Sequence, residues 1–560
     1  MNQLKIRYRW NEIPWRQLEK SSFKLQKRIY RASQNNDIKS VHRLQKLLLR
    51  SKSGKFMSVR RVTQDNQGRK TAGIDGISDL NQEQRLDLVE SLSLNEKSKP
   101  VRRIWISKRG KTEKRPLGIP TIADRAKQAL MKMALEPEWE AKFEPNSYGF
   151  RPGRSCHDVY EAIFEALKRK TAFVLDADIS GCFDNINHSV LLKKLNTTPT
   201  IQRIIKGWLK AGMMENSLFY ATERGTPQGG IISPLLANVA LHGLEYDTKQ
   251  ALSKDLFQYK KEKSGKASYI NTQKMMSIIR YADDCVVLHE SKDIVLKAKS
   301  FVEEWLKKIG LELNSSKTCI THTLKSSGNN QIGFDFLGYT VRQFPVNHSK
   351  KGYKLLIKPS RKAQKRHAQV IQEKLKSMRG LTQAAVINCL NPIIKGWSRY
   401  YIPGVSRKVF ERMDHDMHYK LWKWALYRHP HKGKGWVRRK YFRKHGNDIW
   451  RFKTHKEEIL VRHSDFHIKR YTKVSGVKSP YDGDMVYWAR RLGRSPTMPP
   501  RVVKLLKVQR GKCELCQLWF RSGDLMEVHH RDQQRSNNRN ENLVLLHRHC
   551  HDDIHRASCI

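Results

Sequence analysis

Acidic residues are scarce in this sequence. Its 560 residues include 53 Asp and Glu against 108 Lys and Arg, which leaves a formal net charge of +55. A solvated basic surface alone would not require such an excess, and the basic residues are spread along the whole chain. The 13 Trp, 19 Tyr and 18 Phe supply rings that can stack on bases. Charge and aromatic content together predict a nucleic acid as the partner.

Long apolar runs are also missing. No stretch reaches the roughly 18 apolar residues that a membrane-spanning helix requires, so we expect no membrane partner. Residues 1–15 contain no apolar core of signal-peptide length, which predicts a cytosolic protein, either bacterial or of organellar origin. The sequence shows no internal repeat and no low-complexity tract. Its length exceeds what one compact core can hold, so we expect several domains.

The cysteines do not form a pattern typical of disulfide-bonded proteins. Five of the nine are scattered and are predicted to be small buried apolar side chains. Three more lie near the C-terminus at a spacing typical of metal ligands, and Cys559 is left over. The scattered five are Cys156, Cys182, Cys285, Cys319 and Cys389.

Helix and strand signals divide the chain into regions. Residues 1 to about 100 contain helices with basic faces, interrupted by the glycine-containing loop 71–76. Strand and helix signals alternate over 104–335, which indicates a mixed α/β or α+β fold. After residue 352 the composition becomes basic and helical again. The Gly- and Pro-containing stretch 493–500 indicates a linker to a small last domain.

Two adjacent acids lie between apolar arms in residues 277–289. The pattern predicts a β-hairpin whose tight turn carries Asp283 and Asp284. Asp is an ordinary turn residue, which is the simplest explanation of the pair. Both arms are apolar enough to be buried, however, and neighbouring carboxylates in such a place are costly unless cations neutralise them.

A second acidic segment has the same character. Residues 173–179 are predicted to form a strand that carries Asp176 and Asp178 near its end, and Asp184 follows closely. One strand-end Asp beside the hairpin pair can bridge two divalent cations about 4 Å apart, as in nucleotidyl transfer. Oxygen ligands and phosphate substrates favour Mg²⁺. Asp178, with the hairpin pair, is therefore the predicted metal ligand and catalytic residue, whereas Asp176 and Asp184 are predicted to hold the fold or face solvent.

These acids belong to six blocks that resemble, in order, the blocks of reverse transcriptases over about 230 residues. Tyr281-Ala-Asp-Asp284 resembles the signature of that family, and residues 176–184 resemble its first palm motif. Residues 115–120, 225–234, 310–317 and 334–339 supply the other blocks, the last resembling the primer grip. The resemblance implies a right-hand polymerase that copies RNA into DNA from dNTPs, with Asp178, Asp283 and Asp284 holding two Mg²⁺ ions.

The same resemblance implies roles at the nucleotide. Lys108 and Arg115 would hold the triphosphate, and Phe183 would exclude a ribose 2′-hydroxyl. Gln228 would lie at the nascent base pair, and Lys317 would protonate the pyrophosphate.

Residues 390–401 resemble the thumb, or maturase (X), domain of group II intron-encoded proteins. The segment concentrates cations and aromatic rings, which can either pack a helix or stack on RNA and neutralise it. The resemblance settles the domain and leaves both roles open. The RNA-binding candidates are Lys395, Trp397, Arg399 and Tyr400. The long N-terminal extension also matches this family, which implies a protein that folds and splices its own intron RNA, binds target DNA and reverse transcribes the RNA there during retrohoming.

Two pairs of metal-binding residues lie near the C-terminus. Cys513 and Cys516 precede His547 and Cys550, and both pairs have two intervening residues, a spacing that predicts a structural Zn²⁺ site. A redox cysteine pair is the simpler alternative, but the second pair argues against it. The related proteins usually carry four cysteines, and His549 competes with His547 for the fourth position on spacing grounds.

Between and after these pairs the sequence resembles the HNH endonuclease motif. By that resemblance His530 is the general base that activates water, and Asn542 orients it. His529, His551 and His555 would bind one divalent ion, Mg²⁺ or Mn²⁺, beside the scissile phosphate. A pair such as His551 and His555, four residues apart on a helix, would on its own more often be structural.

The predicted fold is multidomain α+β, with polymerase fingers and palm, an N-terminal helical extension, an α-helical thumb and a small zinc-stabilised ββα-metal HNH domain. The expected domains are the N-terminal extension at 1–100, fingers and palm at 101–345, and the thumb or maturase domain at 346–430. A DNA-binding region and linker at 431–500 and the HNH endonuclease domain at 501–560 complete the chain.

The same residues argue against three other functions. A splicing-only maturase with a decayed polymerase, or a nuclease on an inert polymerase scaffold, would lack a catalytic Asp or a fingers block, yet all are present. A retron or phage-defence reverse transcriptase would lack the long N-terminus and the thumb block.

Overall fold

A computed structural model describes residues 9–107, 114–216, 218–261, 267–271, 276–326, 331–347 and 350–557. Lys108 and Cys559 lie outside the described residues. None of the described helices combines the length and apolar character needed to cross a membrane.

The N-terminal extension is helical, as predicted. Its first helix packs along the long helix that follows the fingers strands, and Ile29 and Leu48 are completely buried there. Asp37 caps the second helix by accepting a hydrogen bond from the backbone N–H of Ser40 (3.0 Å). The elements are α1 (Trp15–Gln34), α2 (Ile38–Arg50), α3 (Lys52–Arg60), a short π-helix (Arg61–Asp65) and α4 (Gln82–Ser91).

Strands and helices then alternate through the fingers and palm. The elements are β1 (Val101–Ser107), β2 (Lys114–Ile119), α5 (Ile122–Lys142), α6 (Cys156–Leu167), β3 (Phe173–Ser180), α7 (Cys182–Asn185), α8 (His188–Leu195), α9 (Pro199–Leu209), β4 (Met213–Glu215), β5 (Leu218–Tyr220), α10 (Ser233–Leu241), α11 (Leu244–Ala251), β6 (Phe257–Lys261), β7 (Ala267–Asn271), β8 (Ser277–Tyr281), β9 (Asp284–His289), α12 (Lys292–Lys308), β10 (Glu312–Leu313) and β11 (Cys319–His322).

Two sheets organise this part of the chain. The fingers sheet has the order β2-β1-β4-β5, with β1 and β4 parallel. The palm sheet has the order β10-β3-β9-β8, and β11 also pairs with β3. Side chains alternate across the palm strands, so Cys285 and Val287 join one apolar cluster while Val286 and Leu288 join another. Burial on both faces explains why the β9 sequence is continuously apolar.

The thumb follows a small three-stranded sheet, β12-β13-β14. Its helices pack through Ile371, Leu390 and Leu421, all buried, so the helical character predicted for this region is confirmed. The elements are β12 (Phe334–Phe336), β13 (Tyr339–Pro345), β14 (Tyr353–Pro359), α13 (Arg361–Ser377), α14 (Gln383–Tyr401) and α15 (Arg407–Arg428).

After the thumb, the chain returns to the palm and the N-terminal helices. Asp158, on α6, accepts a hydrogen bond from the backbone N–H of Val474 (2.7 Å) and pairs with Arg491. Tyr30 on α1 donates to the carbonyl of Val477 (3.4 Å), 447 residues further along the chain. The elements of this segment are α16 (Lys434–Tyr441), β15 (Phe442–His445), β16 (Asp448–Phe452) and α17 (Met485–Arg494).

The C-terminal unit, residues 500–557, has its own apolar cluster around Phe520 and Leu545. A hairpin and a following helix give it a ββα arrangement. The predicted linker is shorter than its sequence indicates, because α17 continues to Arg494 and the next helix begins at Pro500. Those two helices pack on each other. The elements are α18 (Pro500–Val508), β17 (Met526–His530), β18 (Leu543–His547) and α19 (Arg548–Ala557).

Candidate active sites and metal centres

The predicted hairpin is confirmed, although only one of its two adjacent acids lies in the turn. Strands β8 and β9 pair so that Tyr281 lies opposite Asp284, which leaves Ala282 and Asp283 as the turn. Ala282 adopts a left-handed conformation (φ +57°) that lets the chain reverse in two residues. On the other side of β9, Asp178 of β3 lies directly opposite Asp284. Sheet register thus brings the three aspartates together at one end of the palm.

The carboxyl groups of Asp176, Asp283 and Asp284 are half-buried and close together, and both effects raise their pKa values. Desolvation, with repulsion from Asp283 and Asp178, raises the pKa of Asp284 to about 6. Desolvation also raises the pKa of Asp283, with Asp178 adding to the effect. Asp176, on the same strand as Asp178, has a pKa raised to about 7 by burial and then by Asp284 and Asp178. Such a site favours the binding of cations, because cations relieve the repulsion among the carboxylates.

Arg280 braces the turn from beneath, a role that we did not predict from the sequence. Its side chain is buried and donates to the carbonyl of Ala282 (3.1 Å), to Asn238 (3.1 Å) and to the hydroxyl of Ser147 (2.7 Å). A charged residue in an apolar strand directly before the acidic turn was the available signal. Arg280 therefore fixes the turn that carries Asp283.

Gly149 makes room for the same turn and was also missed. A Cβ at this position would lie 2.9 Å from the carbonyl carbon of Tyr281, 3.0 Å from the Cα of Ala282 and closer still to the Ala282 nitrogen. The carbonyl of Gly149 accepts a hydrogen bond from Asn238 (2.8 Å), the residue that also binds Arg280. Only a glycine lets these two backbones approach so closely.

Two of the predicted nucleotide-binding residues, Arg115 and Lys317, lie close enough to Asp283 for their charges to act on it. Arg115 donates to the side-chain oxygen of Gln228 (2.7 Å), and the amide of Gln228 reaches Asp184 (3.2 Å). Phe183 is buried and packs edge-on against Phe150, with ring centroids 6.0 Å apart. Asp184 therefore has a partner in this cluster, although the sequence suggested only a fold-holding or surface residue.

Lys317 forms an ion pair with Asp178. This contact brings the predicted pyrophosphate-binding lysine to the edge of the aspartate group. Lys108, predicted to hold the triphosphate with Arg115, is outside the described part of the chain.

The thumb residues predicted to bind RNA are half-buried. Trp397 stacks face to face on His367, with ring centroids 4.5 Å apart and planes 7° apart. Tyr400 donates to the carbonyl of Leu337 (2.8 Å) at the junction with the palm. Both rings thus have packing partners within the protein, and burial lowers the pKa of Arg399. Lys395 lies on the same helix and is also half-buried.

The four predicted zinc ligands come together. The ligand atoms of Cys513, Cys516, His547 and Cys550 all lie within 4.8 Å of one another. His547 points its Nδ1 at the Cys516 sulfur (3.3 Å), and its Nε2 lies 3.5 Å from Asp524. Hydrogen bonds from Cys516 and Cys550 hold the pKa of the Cys513 thiol far below its usual range, which favours the thiolate that zinc binds.

His549 is not part of that ligand set. Its ring stacks on His547, with centroids 5.2 Å apart, and its buried Nε2 has no hydrogen-bond partner. Burial and the charge of Arg60 lower the pKa of His549 to about 2. The geometry therefore favours His547 over His549 as the fourth ligand, a choice that spacing alone left open.

A second cluster lies at the hairpin and α19. Ligand nitrogens of His529, His551 and His555 all fall within 4.8 Å of one another. Burial and repulsion from His551 and His555 lower the pKa of His529, which favours the neutral imidazole that metals bind. Glu527 lies 3.2 Å from the Nδ1 of His551 and orients that ring. Three imidazoles converge here as the motif predicts.

His530 and Asn542 flank this cluster. His530 ends β17, and its buried Nε2 has no hydrogen-bond partner. The Asn542 side chain donates to Asp532 (2.8 Å) and to the carbonyl of Asn537 (2.9 Å). Asn542 therefore supports the loop that joins β17 and β18.

Comparisons with known proteins agree with the geometry of the polymerase part. Residues 106–341 match the reverse transcriptase (RNA-dependent DNA polymerase) family, and residues 10–92 match the N-terminal domain of reverse transcriptase. Residues 364–442 match the group II intron, maturase-specific domain. The first of these segments contains the three aspartates, and the last contains α14 and α15.

Two relatives that each match half of the chain or more point the same way. The chain is 31% identical over 374 residues to the group II intron-encoded protein LtrA of Lactococcus lactis subsp. cremoris, an alignment that covers 58% of this chain. The chain thus spans about 60% of the length of LtrA. It is 33% identical over 310 residues to protein YkfC of Escherichia coli (strain K12), covering 50% of this chain and 78% of YkfC. With its aspartate-bearing palm, N-terminal extension and maturase segment, the chain belongs to the family of group II intron reverse transcriptases and maturases.

Proposed function

We propose that this chain copies RNA into DNA, assists splicing of its own group II intron RNA, and nicks target DNA to prime the copying. Together these are the steps of intron retrohoming. The observation that carries the polymerase activity is the placement of Asp178 opposite Asp284, beside the Asp283 turn, inside the reverse transcriptase segment.

The donor set at the palm fits Mg²⁺. It consists of carboxylate oxygens, and burial and mutual repulsion raise the pKa values of Asp283 and Asp284. When bound, Mg²⁺ ions activate the primer hydroxyl and neutralise the leaving pyrophosphate. The protein's own groups do the rest: Arg115 and Gln228 orient the dNTP, and Lys317 supplies a proton beside Asp178.

The polymerase proposal is tested with Asp283→Ala in a primer-extension assay on an RNA template. Loss of one ligand removes the metal geometry, so we expect no measurable cDNA synthesis while RNA binding persists. Asp293→Ala, at an exposed aspartate on α12, is the matched control and should retain wild-type extension. Near wild-type extension by Asp283→Ala would refute the assignment of the active site.

The proposed RNA-binding surface is an exposed groove of the thumb between α13 and α15. The groove has a volume of about 430 Å³, and no carboxylate lines it in the part of the chain that the structure describes. Tyr419 and Tyr427 are both exposed and lie about two helical turns apart on α15, and Arg379 lies 4.3 Å from the ring of Tyr427. Exposed rings between cations are the features that stack bases and neutralise phosphates. The cations lining the groove are Lys376, Arg379, Lys420 and Lys423.

RNA-binding and thermal-unfolding measurements distinguish the role of this groove from that of the half-buried thumb residues. Tyr419→Ala with Tyr427→Ala should weaken intron RNA binding by about 10-fold or more, since each stacked base contributes about 1–3 kcal/mol. The thermal midpoint should stay unchanged, because both side chains are exposed. Trp397→Ala is expected to lower the thermal midpoint as well, because its ring packs on His367. Unaltered RNA affinity in the double tyrosine variant would contradict the role of the groove.

DNA cleavage is proposed for the C-terminal unit from its convergent histidines. His529, His551 and His555 fit one divalent ion, and an all-imidazole set suits Mn²⁺ or a softer ion better than Mg²⁺. A bound ion would stabilise the charge that develops on the scissile phosphate. His530 has a free buried nitrogen and is the proposed base that activates water. The zinc ligands form a separate, structural centre.

The nuclease proposal requires a labelled target duplex and the intron ribonucleoprotein. His530→Ala should lose cleavage of the strand opposite the insertion and retain its zinc and its fold. The variant should still extend a primer that is added by hand. His467→Ala, at an exposed histidine outside the unit, should cut normally. Continued cutting by His530→Ala would remove the nuclease assignment and leave a zinc-stabilised DNA-binding module.

A further inference from the structure

The C-terminal unit contacts the first helix of the chain through one arginine. The guanidinium of Arg521 lies 3.9 Å from the ring centroid of Phe23, within cation–π distance. Its Nη2 lies 3.3 Å from one carboxylate oxygen of Glu19, which is almost completely buried on α1. A buried carboxylate is costly without cations beside it, so this contact is more than a chance surface pair.

The other oxygen of Glu19 faces a second arginine. Arg60, buried at the end of α3, lies 3.4 Å from that oxygen and 3.4 Å from Asp65 of the π-helix. Its guanidinium also lies over the ring of Trp15, 4.8 Å away. Glu19 therefore bridges a cation of the N-terminal extension and a cation of the C-terminal unit. Removal of Arg521 would leave this buried group with a weakened charge balance.

The same arginine is joined to the zinc site. The backbone N–H of Arg521 donates to Asp524 (2.7 Å), and the same oxygen of Asp524 lies 3.5 Å from the Nε2 of His547. A carboxylate behind a metal-binding histidine fixes the orientation of its ring. The turn 521–524 thus carries both the support for a zinc ligand and the contact with α1. These residues fit the structural zinc that the four ligands predict.

We propose that Glu19, Arg60 and Arg521 form a clamp that holds the zinc-loaded C-terminal unit in one position against the N-terminal extension, and so fixes where the nuclease cuts. This inference rests on the nuclease function proposed above. The three are positioning residues, because none of them is in the histidine cluster. Zinc keeps the clamp closed, since it anchors His547 and through Asp524 the turn that bears Arg521.

The geometry gives the expected size of the effect. With the clamp open and the contacts of α17 with α18 and of α19 with the π-helix also lost, the unit is tethered by residues 495–499. A tether of that length spans at most about 17 Å when extended. DNA rises by about 3.4 Å per base pair. Opening of the clamp should therefore spread the nick over about five base pairs, with little change in total cleavage.

Hydrogen–deuterium exchange on the full-length, zinc-loaded protein tests the clamp without reference to nuclease activity. In Arg521→Ala, and in the wild-type protein after zinc is chelated, exchange should accelerate in α1 and in the π-helix. Glu19→Gln should give a similar acceleration, and the double variant should show less than the sum of the single effects. Lys507→Ala, at an exposed lysine of the same unit, is the control. Unchanged exchange in Arg521→Ala would overturn the clamp.

Nick mapping on an end-labelled target duplex tests the positioning role. Arg521→Ala should replace one main nick with a spread of nicks, and Arg521→Lys should restore part of the sharpness because it keeps the charge. Retained zinc in Arg521→Ala shows that its C-terminal unit is folded, since this unit is expected to unfold when zinc is lost. Faster exchange together with one sharp nick would overturn the positioning role. Absence of cleavage by the wild-type protein overturns the nuclease proposal and, with it, this role, while the exchange measurement still decides the clamp.

Discussion

Replacement of Gly149 by alanine tests the placement of the acidic turn with a single methyl group. The new Cβ would meet the backbone at Tyr281 and Ala282, at 2.9 and 3.0 Å, with the Ala282 nitrogen closer still. Ordinary contacts between carbon atoms begin at about 3.5 Å, so the turn that carries Asp283 must move away from residue 149 by about 1 Å. Backbone atoms on both sides make this shift difficult to avoid. The substitution should also cost about 1–3 kcal/mol of stability, as overpacking generally does.

The consequence for catalysis should exceed the consequence for stability. A misplacement of about 1 Å in a reacting group can cost about 100-fold in rate. We therefore expect Gly149→Ala to reduce single-turnover primer extension by about that factor, with unchanged affinity for the RNA template. Gly396→Ala is the matched control, because a Cβ there meets nothing within 4 Å. Wild-type extension by a folded Gly149→Ala protein would refute the argument that this close approach sets the position of the acidic turn.

Four further substitutions separate the other elements of the site. Phe183→Val should increase the use of ribonucleotides relative to dNTPs, and an unchanged preference in competition assays would remove the steric-gate assignment. Arg280→Met should lower the free energy of unfolding by about 3 kcal/mol or more, measured by urea denaturation, because several buried partners lose their hydrogen bonds. Asp283→Ala should keep promoting splicing of the intron, and loss of splicing in the folded variant would show that both activities share the aspartates. Cys513→Ser should release zinc and unfold the C-terminal unit, while extension of an added primer continues; loss of that extension would mean that the palm depends on this unit.

Local patterns predicted the acidic hairpin because its signal lies within a few residues. The apolar arms define β8 and β9, and the turn that joins them falls on Ala282 and Asp283. The Cys and His cluster that could hold a metal ion was predictable for the same reason, since each pair is close in sequence. The choice of His547 over His549 was not, because both spacings are acceptable and only the fold decides which ring faces the cysteines.

The supports of the site could not be predicted from local patterns. Arg280 looks like an anomaly inside an apolar strand until Ser147 and Asn238 are known to lie beneath it. The contact of Glu19 with Arg521 joins opposite ends of the chain, and no periodicity or motif encodes it. The roles that depend on long-range packing therefore appear only in three dimensions.

The return of the chain to its own beginning has a consequence during synthesis. Helix α1 is finished early, yet Tyr30 waits for Val477, and Glu19 waits for Arg521. At about 5–20 residues per second, the ribosome needs roughly 20 to 90 s to make the 447 residues that separate Tyr30 from Val477. For that interval a face of the nascent N-terminal helix has no cover from its own chain. Products that stop before residue 477 keep this face open permanently, so premature termination should yield aggregation-prone chains and full-length translation should coincide with closure of the fold.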